Sequence, residues 1–397
     1  MPGSVFGIRS PHVLTLCVFA LLAIGVLMVQ SAMMGVTGNP DARPLFNGLA
    51  IKHLGFALVA FATFLVVSRF DYRRLLSSGP LWKSPILWAL VGAAVLSVAV
   101  LVVGTEVNGA RRWIRFGPLQ LQPSEVAKWT SAVFLAWWFA KKPVPLDKFW
   151  KGFVVTAVPI GVLCLLVVIE DFGTAALIGI VAFAMFVVGG IRWWHLAIVV
   201  PPALGAAAFF VMGTPYRWRR MTSFLDPWAD PRGDGYHMIQ SLMSFASGGV
   251  SGRGLGNGIQ KLGYLPEDTT DFVFAVVCEE LGFFGAMMVV LMYLGILLVA
   301  VRAIRSTKLD PFGKLLAFAL STTICTQACI NLAVATVSMP TKGMSLPLIS
   351  AGGTGLILTC ASLGLFASVL RVRHQLEHGK EPLAASPISA SEPVATY

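Results

Sequence analysis

Asp271 and the pair Glu125 and Lys128 are the residues of this sequence whose types and spacing lend themselves to chemistry. Asp271 enters LPEDTTDFVFAVVCEELGFFGA just as an apolar run begins, so a helix over that run holds it at the top, facing whatever the preceding segment covers. A carboxylate partly withdrawn from water has a raised pKa and can serve as a general base. Capping the helix is the other use of the same residue, and local spacing leaves both open. Glu125 and Lys128 stand three apart and share a helix face, acid first. Ionisable side chains inside apolar runs are costly and mark functional positions, although a structural ion pair needs the same two residues.

Other charges surround these. NGARRWIRFGPLQLQPSEVAK carries Arg111, Arg112 and Arg115 beside Trp113; an anionic ligand explains them, and so does anchoring to lipid or an internal ion pair. Asp171, in IEDFGTA, sits where it can cap a helix at Thr174. The long polar interval from Pro215 to Asp271 opens with Arg217, Arg219 and Arg220 around Trp218, and forked guanidinium donors suit a pyrophosphate. Its middle spaces Met238, Leu242 and Phe245 as an amphipathic helix on a membrane surface. SGGVSGRGLGNG then allows backbone amides to approach a phosphate, but it follows no strand and is not a dinucleotide fingerprint. Lys342, in SMPTKGMSLPLISAGGTG, is a further cation at a broken helix entrance, where a plain turn is the alternative.

The elements that must position these residues follow from composition. With 397 residues, 56% hydrophobic and only 12% charged, the chain is an integral membrane protein, far from the soluble average of about 25% charged. Continuous apolar runs exclude a barrel and predict an all-α fold. Runs over 13–33, 51–67, 86–103, 126–139, 153–169, 175–188, 193–211, 272–301, 312–337 and 349–370 give about ten spans, with a long loop, 214–271, between the seventh and eighth. Cations cluster around Arg73, Lys141, Arg302 and Arg371, which predicts cytoplasmic termini and an extracytoplasmic long loop. The net charge of +11 lies mostly beside apolar runs, so it calls for anionic lipid and not nucleic acid. The membrane domain is expected over 1–371 and a disordered cytoplasmic tail over 372–397. All six cysteines fall in apolar runs and read as small buried hydrophobes.

Five ordered blocks then carry a resemblance that covers nearly the whole chain: NGARRWIRFG with QPSEVAK, DFGTA, YRWRRMTSFLDPWADPRGDGYHMIQSL, GLGNGIQKLGYLPEDTTDFVFAVVCEELGFFGA and PTKGMSLPLISAGGTG. They resemble the SEDS family (FtsW, RodA, SpoVE), and GLGNGIQKLGYLPE looks more like the division branch, FtsW, than the elongation branch, RodA. The resemblance implies a peptidoglycan glycosyltransferase that polymerises lipid II outside the bacterial cytoplasmic membrane, at the septum. Undecaprenyl pyrophosphate would be released, and a class B penicillin-binding protein and other divisome membrane proteins would be the partners. By motif it implies Asp271 as the essential acid, with Arg112, Trp113, Glu125 and Lys128 at the substrate. Asp171, Arg217, Arg219, Arg220 and Lys342 are added from their place in the matching blocks. A divalent cation, Mg²⁺ or Mn²⁺, near Glu125 or Asp271 would suit carboxylates with phosphates. The sequence departs from the pattern at Thr269, at Ile169-Glu170 and at Ala351. A lipid II flippase and a non-catalytic divisome scaffold are the competing functions.

Overall fold

The computed structural model describes residues 4–5, 8–35, 48–76, 80–107, 110–117, 119–213, 215–341 and 343–379. Each of the ten expected runs is a helix: α1 (Ser10–Gly35), α2 (Gly48–Arg69), α3 (Pro85–Val103), α4 (Pro123–Lys141), α5 (Val155–Glu170), α6 (Phe172–Val188), α7 (Trp193–Met212), α10 (Val273–Ile304), α11 (Pro311–Ala335) and α12 (Thr354–Glu377). Between α7 and α10 stand two short helices, α8 (Pro215–Ser223) and α9 (Tyr236–Gly248). Pro opens α3, α4 and α11 at a position where a missing N–H costs nothing.

Two of the ten are not both long and apolar enough to cross a membrane on their own. One is α6, of 17 residues. The other is α4, which carries Glu125, Lys128 and Lys141. It packs against α3, α5, α6, α11 and α12, and Trp129, Phe134, Trp137, Trp138 and Phe139 are buried along it. Protein, not lipid, solvates this helix, so it can hold charges that an isolated span could not.

Helices consecutive in the chain alternate in direction, which brings their ends together in two groups. At one end Tyr72 hydrogen-bonds the carboxylate of Asp310, which caps α11 through the amide of Gly313 at 3.2 Å. There Ser368 Oγ also donates to the Phe70 carbonyl, tying α12 to α2. The opposite end gathers the described residues of 103–107, 110–117, 119–123, 170–172, 213, 215–272, 336–341 and 343–353. It includes an element absent from the all-α expectation, a three-stranded antiparallel sheet of β3 (Thr105–Val107), β4 (Ala110–Phe116) and β5 (Leu119–Leu121). A two-residue pair, β1 (Ser4–Val5) and β2 (Ile8–Arg9), precedes α1.

The last helix runs beyond the expected boundary at 371, because Val372 and Arg373 are buried in the bundle. The remainder of the expected tail, 380–397, lies outside the described residues. The six cysteines are all free, and Cys329 is exposed on α11, unlike the buried small hydrophobe expected there.

Helix α10 changes character at Gly282, whose φ of 65° and ψ of −161° break the helix. Phe283–Ile304 would extend about 33 Å at 1.5 Å per residue, enough to cross the hydrocarbon by itself. On the other side of the break, every residue from Val273 to Glu280 is buried. That first part is therefore enclosed by protein on all sides, at the end where Asp271 stands.

Candidate active site

Strand alternation sorts the arginines of the first connector. Successive side chains on β4 point to opposite faces, so Arg112 shares a face with buried Ile114, while Arg111, Trp113 and Arg115 share the other. Arg112 and Trp113, adjacent in sequence, thus do not serve one ligand from one face. Arg112 Nε donates to the Glu170 carbonyl at 2.8 Å, which fixes the guanidinium over the C-terminus of α5. Asp171, next along, is the N-cap of α6: Oδ1 accepts from the Thr174 amide at 3.0 Å and Oδ2 from the Thr174 hydroxyl at 2.6 Å. Ser124 Oγ and Gln122 Nε2 also donate to Oδ2, each at 3.2 Å, so Asp171 ties the start of α4 to the start of α6. Its capping use is realised, and both its oxygens are occupied.

Asp271 lies in the turn before α10, partly buried, with its backbone held from two directions. Asn331 Nδ2 donates to the Asp271 carbonyl and to the Met344 carbonyl, both at 2.8 Å. Ser350 Oγ donates to the Thr270 carbonyl at 2.6 Å, and the Ala351 amide to the Thr269 carbonyl at 2.7 Å. The carboxylate looks toward Gly343: a Cβ there would stand 3.3 Å from Asp271 Oδ2 and 3.9 Å from Arg112 Nη1. A glycine therefore keeps open the gap between an acid and a guanidinium. Burial pushes the Asp271 carboxyl up to about 7; Glu267 and Asp171 add repulsion, while Arg220 and Arg112 act against it.

Glu125 and Lys128 form the expected pair, and it is deeply placed. Lys128 Nζ donates to Glu125 Oε1 at 2.8 Å and Oε2 at 2.7 Å, and to Gln327 Oε1 at 2.7 Å. All three ammonium hydrogens are thereby used, with the cation 5.1 Å from the Trp129 ring. Gln327 Nε2 continues to the Ser345 carbonyl at 2.9 Å. Gln327 and Asn331, four apart on α11, thus hold segment 344–345 between the Lys128 ammonium and Asp271. Sequence reasoning missed both. The signal was present, since two carboxamides on one face of an apolar helix call for hydrogen-bond partners across the bundle.

The long interval is only partly as expected. Arg220 is within electrostatic reach of Asp271, whereas Arg219 turns to Asp234 of the same loop at 3.4 Å. The Arg217 side chain and Lys342 lie outside the described residues. Helix α9 is present, but it buries Met238, Ser241 and Ser244 against the bundle, with Ser241 Oγ donating to the Ala335 carbonyl at 2.6 Å. Of the three apolar residues expected to face a membrane surface, Met238 is instead buried in the bundle while Leu242 is exposed, so one face of α9 packs on protein. The glycine-rich stretch does present amides to anions, but the anions are internal. The Gly256, Ile259 and Gln260 amides donate to the carboxylates of Glu280 and Glu279.

The donor set does not fit a protein-built divalent site near Glu125. Both Glu125 oxygens are committed to Lys128, and no three His, Cys, Asp or Glu side chains come together among the described residues. What the arrangement offers is a carboxylate poised near neutral pH, opposite two guanidiniums, with a buried ion pair behind it.

Residues 11–375 match the model of the FtsW/RodA/SpoVE cell cycle proteins. A Coxiella burnetii protein named "Probable peptidoglycan glycosyltransferase FtsW" is 36% identical over 372 residues, covering 92% of this chain and 96% of that one. A Geobacter metallireducens protein of the same name is 36% identical over 364 residues, 91% of this chain and 94% of the other. Among solved structures, a chain from work on the coordination of polymerization and crosslinking by a peptidoglycan synthase complex superposes with a TM-score of 0.70 at 28% identity. It covers 91% of this chain and 98% of the other. The rod shape determining protein RodA of Thermus thermophilus gives 0.63 at 26% identity, covering 91% and 97%. With the family model matched over residues 11–375 and relatives 36% identical over nearly its whole length, this chain belongs to the FtsW/RodA/SpoVE family.

Proposed function

We propose that this chain is a peptidoglycan glycosyltransferase that polymerises lipid II during cell division, with Asp271 as the general base. The observation that carries the reading is the Asp271 carboxylate, raised to about 7 and sharing with the Arg112 guanidinium the space beside Gly343. A base of that strength is largely ionised just above neutral pH yet still able to accept a proton, which contributes about 10²–10⁴-fold in rate. Asp271 takes the proton of the acceptor GlcNAc 4-hydroxyl as that oxygen bonds to C1 of the donor MurNAc. The C1–pyrophosphate bond breaks, undecaprenyl pyrophosphate leaves with the bonding electrons, and C1 inverts. Arg112 and Arg220 offset the charge that grows on the leaving group, as positioned guanidiniums do for a departing pyrophosphate. Lys128 and Glu125 act from behind through Gln327, with the ammonium already fully bonded before substrate arrives.

This end of the bundle faces outward from the cytoplasmic membrane, because the cation-rich connectors around Arg73, Lys141, Arg302 and Arg371 lie at the other end. The partner is a class B penicillin-binding protein, which would crosslink the strands made here, alongside other membrane proteins of the septum. The test is lipid II polymerisation by the purified chain with its partner. Asp271→Asn is expected to insert and fold but make no glycan; polymer at the wild-type rate would remove the base assignment. Transport of labelled lipid II across vesicles without polymer would establish the flippase reading instead.

A further inference from the structure

We propose that Ser31, Lys261, Glu279 and Glu280 are positioning residues that fasten segment 249–265 into the break of α10 and so hold Asp271 in its site. The proposal rests on Asp271 being the base.

The break at Gly282 strips four backbone groups of helical partners, and the segment supplies replacements. Phe283 and Phe284 amides donate to the Gly249 and Val250 carbonyls at 3.0 and 3.5 Å. In return Arg253 and Gly254 amides donate to the Glu279 and Glu280 carbonyls, both at 3.0 Å. The approach is so close that a Cβ on Gly252 would meet the Glu280 carbonyl oxygen at 2.2 Å, at a φ of +75°. No residue but glycine fits there.

Two adjacent, fully buried glutamates then anchor the rest. Glu279 accepts from the Ile259 amide at 2.8 Å, the Gln260 amide at 3.2 Å and Ser247 Oγ at 3.3 Å. Glu280 accepts from Lys261 Nζ at 2.6 Å, Ser31 Oγ at 2.6 Å and the Gly256 amide at 3.0 Å. Lys261 Nζ also donates to Ser31 Oγ at 2.7 Å, which carries the tie to α1. Gly258 sits between the carboxylates, where a Cβ would stand 3.0 Å from one and 3.1 Å from the other. Both carboxylates are thus satisfied by inward-facing donors, while Leu255, Ile259, Leu262 and Tyr264 face outward.

The anchored segment leads directly to the base. The Leu265 amide donates to the Gln260 carbonyl at 2.8 Å, and the Phe272 amide to the Glu267 carbonyl at 3.1 Å, closing two turns between Lys261 and Asp271. The stretch 266–271 is wedged between this fastened segment and the Ser350–Ala351 contacts on the other side. Releasing the fastening leaves Asp271 supported from one side only, and more open to water.

The experiment uses the full chain in proteoliposomes with its penicillin-binding partner, comparing wild type, Ser31→Ala, Glu280→Gln and Lys261→Met/Glu280→Gln. Three readouts are taken: trypsin cleavage after the exposed Arg253, kcat and KM for lipid II, and the pH dependence of kcat. Glu280→Gln leaves the Lys261 charge buried without its partner, so cleavage should quicken and kcat fall about 10²-fold with KM little changed, as for a misplaced reactive group. The pH midpoint should move about one unit toward the ordinary carboxylate range as Asp271 meets water. The double variant, which removes both charges, should regain part of the rate and the wild-type midpoint. Ser31→Ala keeps the ion pair and the fold and should show the same shifts, smaller. A Ser31→Ala or Glu280→Gln chain with faster cleavage but unaltered kcat and midpoint would overturn the proposal, as would cleavage unchanged in every variant. Polymerisation by Asp271→Asn would instead remove the base reading, while cleavage and rescue would still report on the fastening.

Discussion

Replacing Asp271 by asparagine separates what the carboxylate does for the reaction from what it costs the fold. Burial, repulsion from Glu267 and the other nearby charges leave this acid at about 7, where an ordinary aspartate has 3.8. Three pH units correspond to about 4 kcal/mol at 1.36 kcal/mol per unit, and partial contact with water lowers the expectation to about 2–3 kcal/mol. The sign follows from proton binding. Between 3.8 and about 7 the folded chain holds this proton more tightly than the unfolded chain, so stability falls as pH rises through that interval. Above it, the full cost of the buried charge is present. Asparagine keeps the size and carries no charge, so the variant should match wild type near pH 4 and exceed it by about 2–3 kcal/mol at about pH 8. Thermal unfolding of both proteins in detergent across that pH range measures the difference, with lipid II polymerisation followed on the same preparations. Wild-type rates should rise through neutral pH and then level, while the variant stays about 10²–10⁴-fold lower throughout. Equal unfolding temperatures at about pH 8 would refute the burial argument. A wild-type rate flat across neutral pH would refute the assignment of the base.

Lys128→Met strands the Glu125 carboxylate, whose side chain is only 12% exposed, and should cost about 3–5 kcal/mol in unfolding experiments. Adding Glu125→Gln should restore most of that stability but not polymerisation, and a double variant no more stable than the single would contradict the pairing. Gly343→Ala places a methyl 3.3 Å from Asp271 Oδ2 in an exposed loop, so unfolding should be unchanged while kcat/KM for lipid II falls about tenfold. Asn331→Leu deletes both donors that hold Asp271 and Met344, and should lower stability by about 1–3 kcal/mol together with kcat.

Ten helices were legible because a chain in lipid must satisfy its backbone locally, and apolar runs of the required length are conspicuous. Asp271, Glu125 and Lys128 were legible for the complementary reason, that charge inside such runs is rare. The sheet of the first connector was not, since β3 and β5 have three residues each and are made by pairing with β4. Gln327 and Asn331 were passed over although their spacing was visible, because their meaning depends on which carbonyls lie opposite them.

Sequence by itself determined the solvent, the helices, and the residue types that acid–base and phosphate chemistry would draw on. Only the tertiary structure decided their partners. Asp171, a cap already legible at Thr174, gained Gln122 and Ser124 as partners, Arg219 turned away from the site while Arg220 stayed within reach of it, and the glycine-rich amides met glutamates of their own chain. The physical reason is separation along the chain. Ser31 and Glu280 are 249 positions apart, Lys128 and Gln327 are 199 apart, and no local preference encodes contacts of that range. Packing brings them together, and burial then gives the Asp271 carboxyl an acidity that its sequence neighbours alone would not.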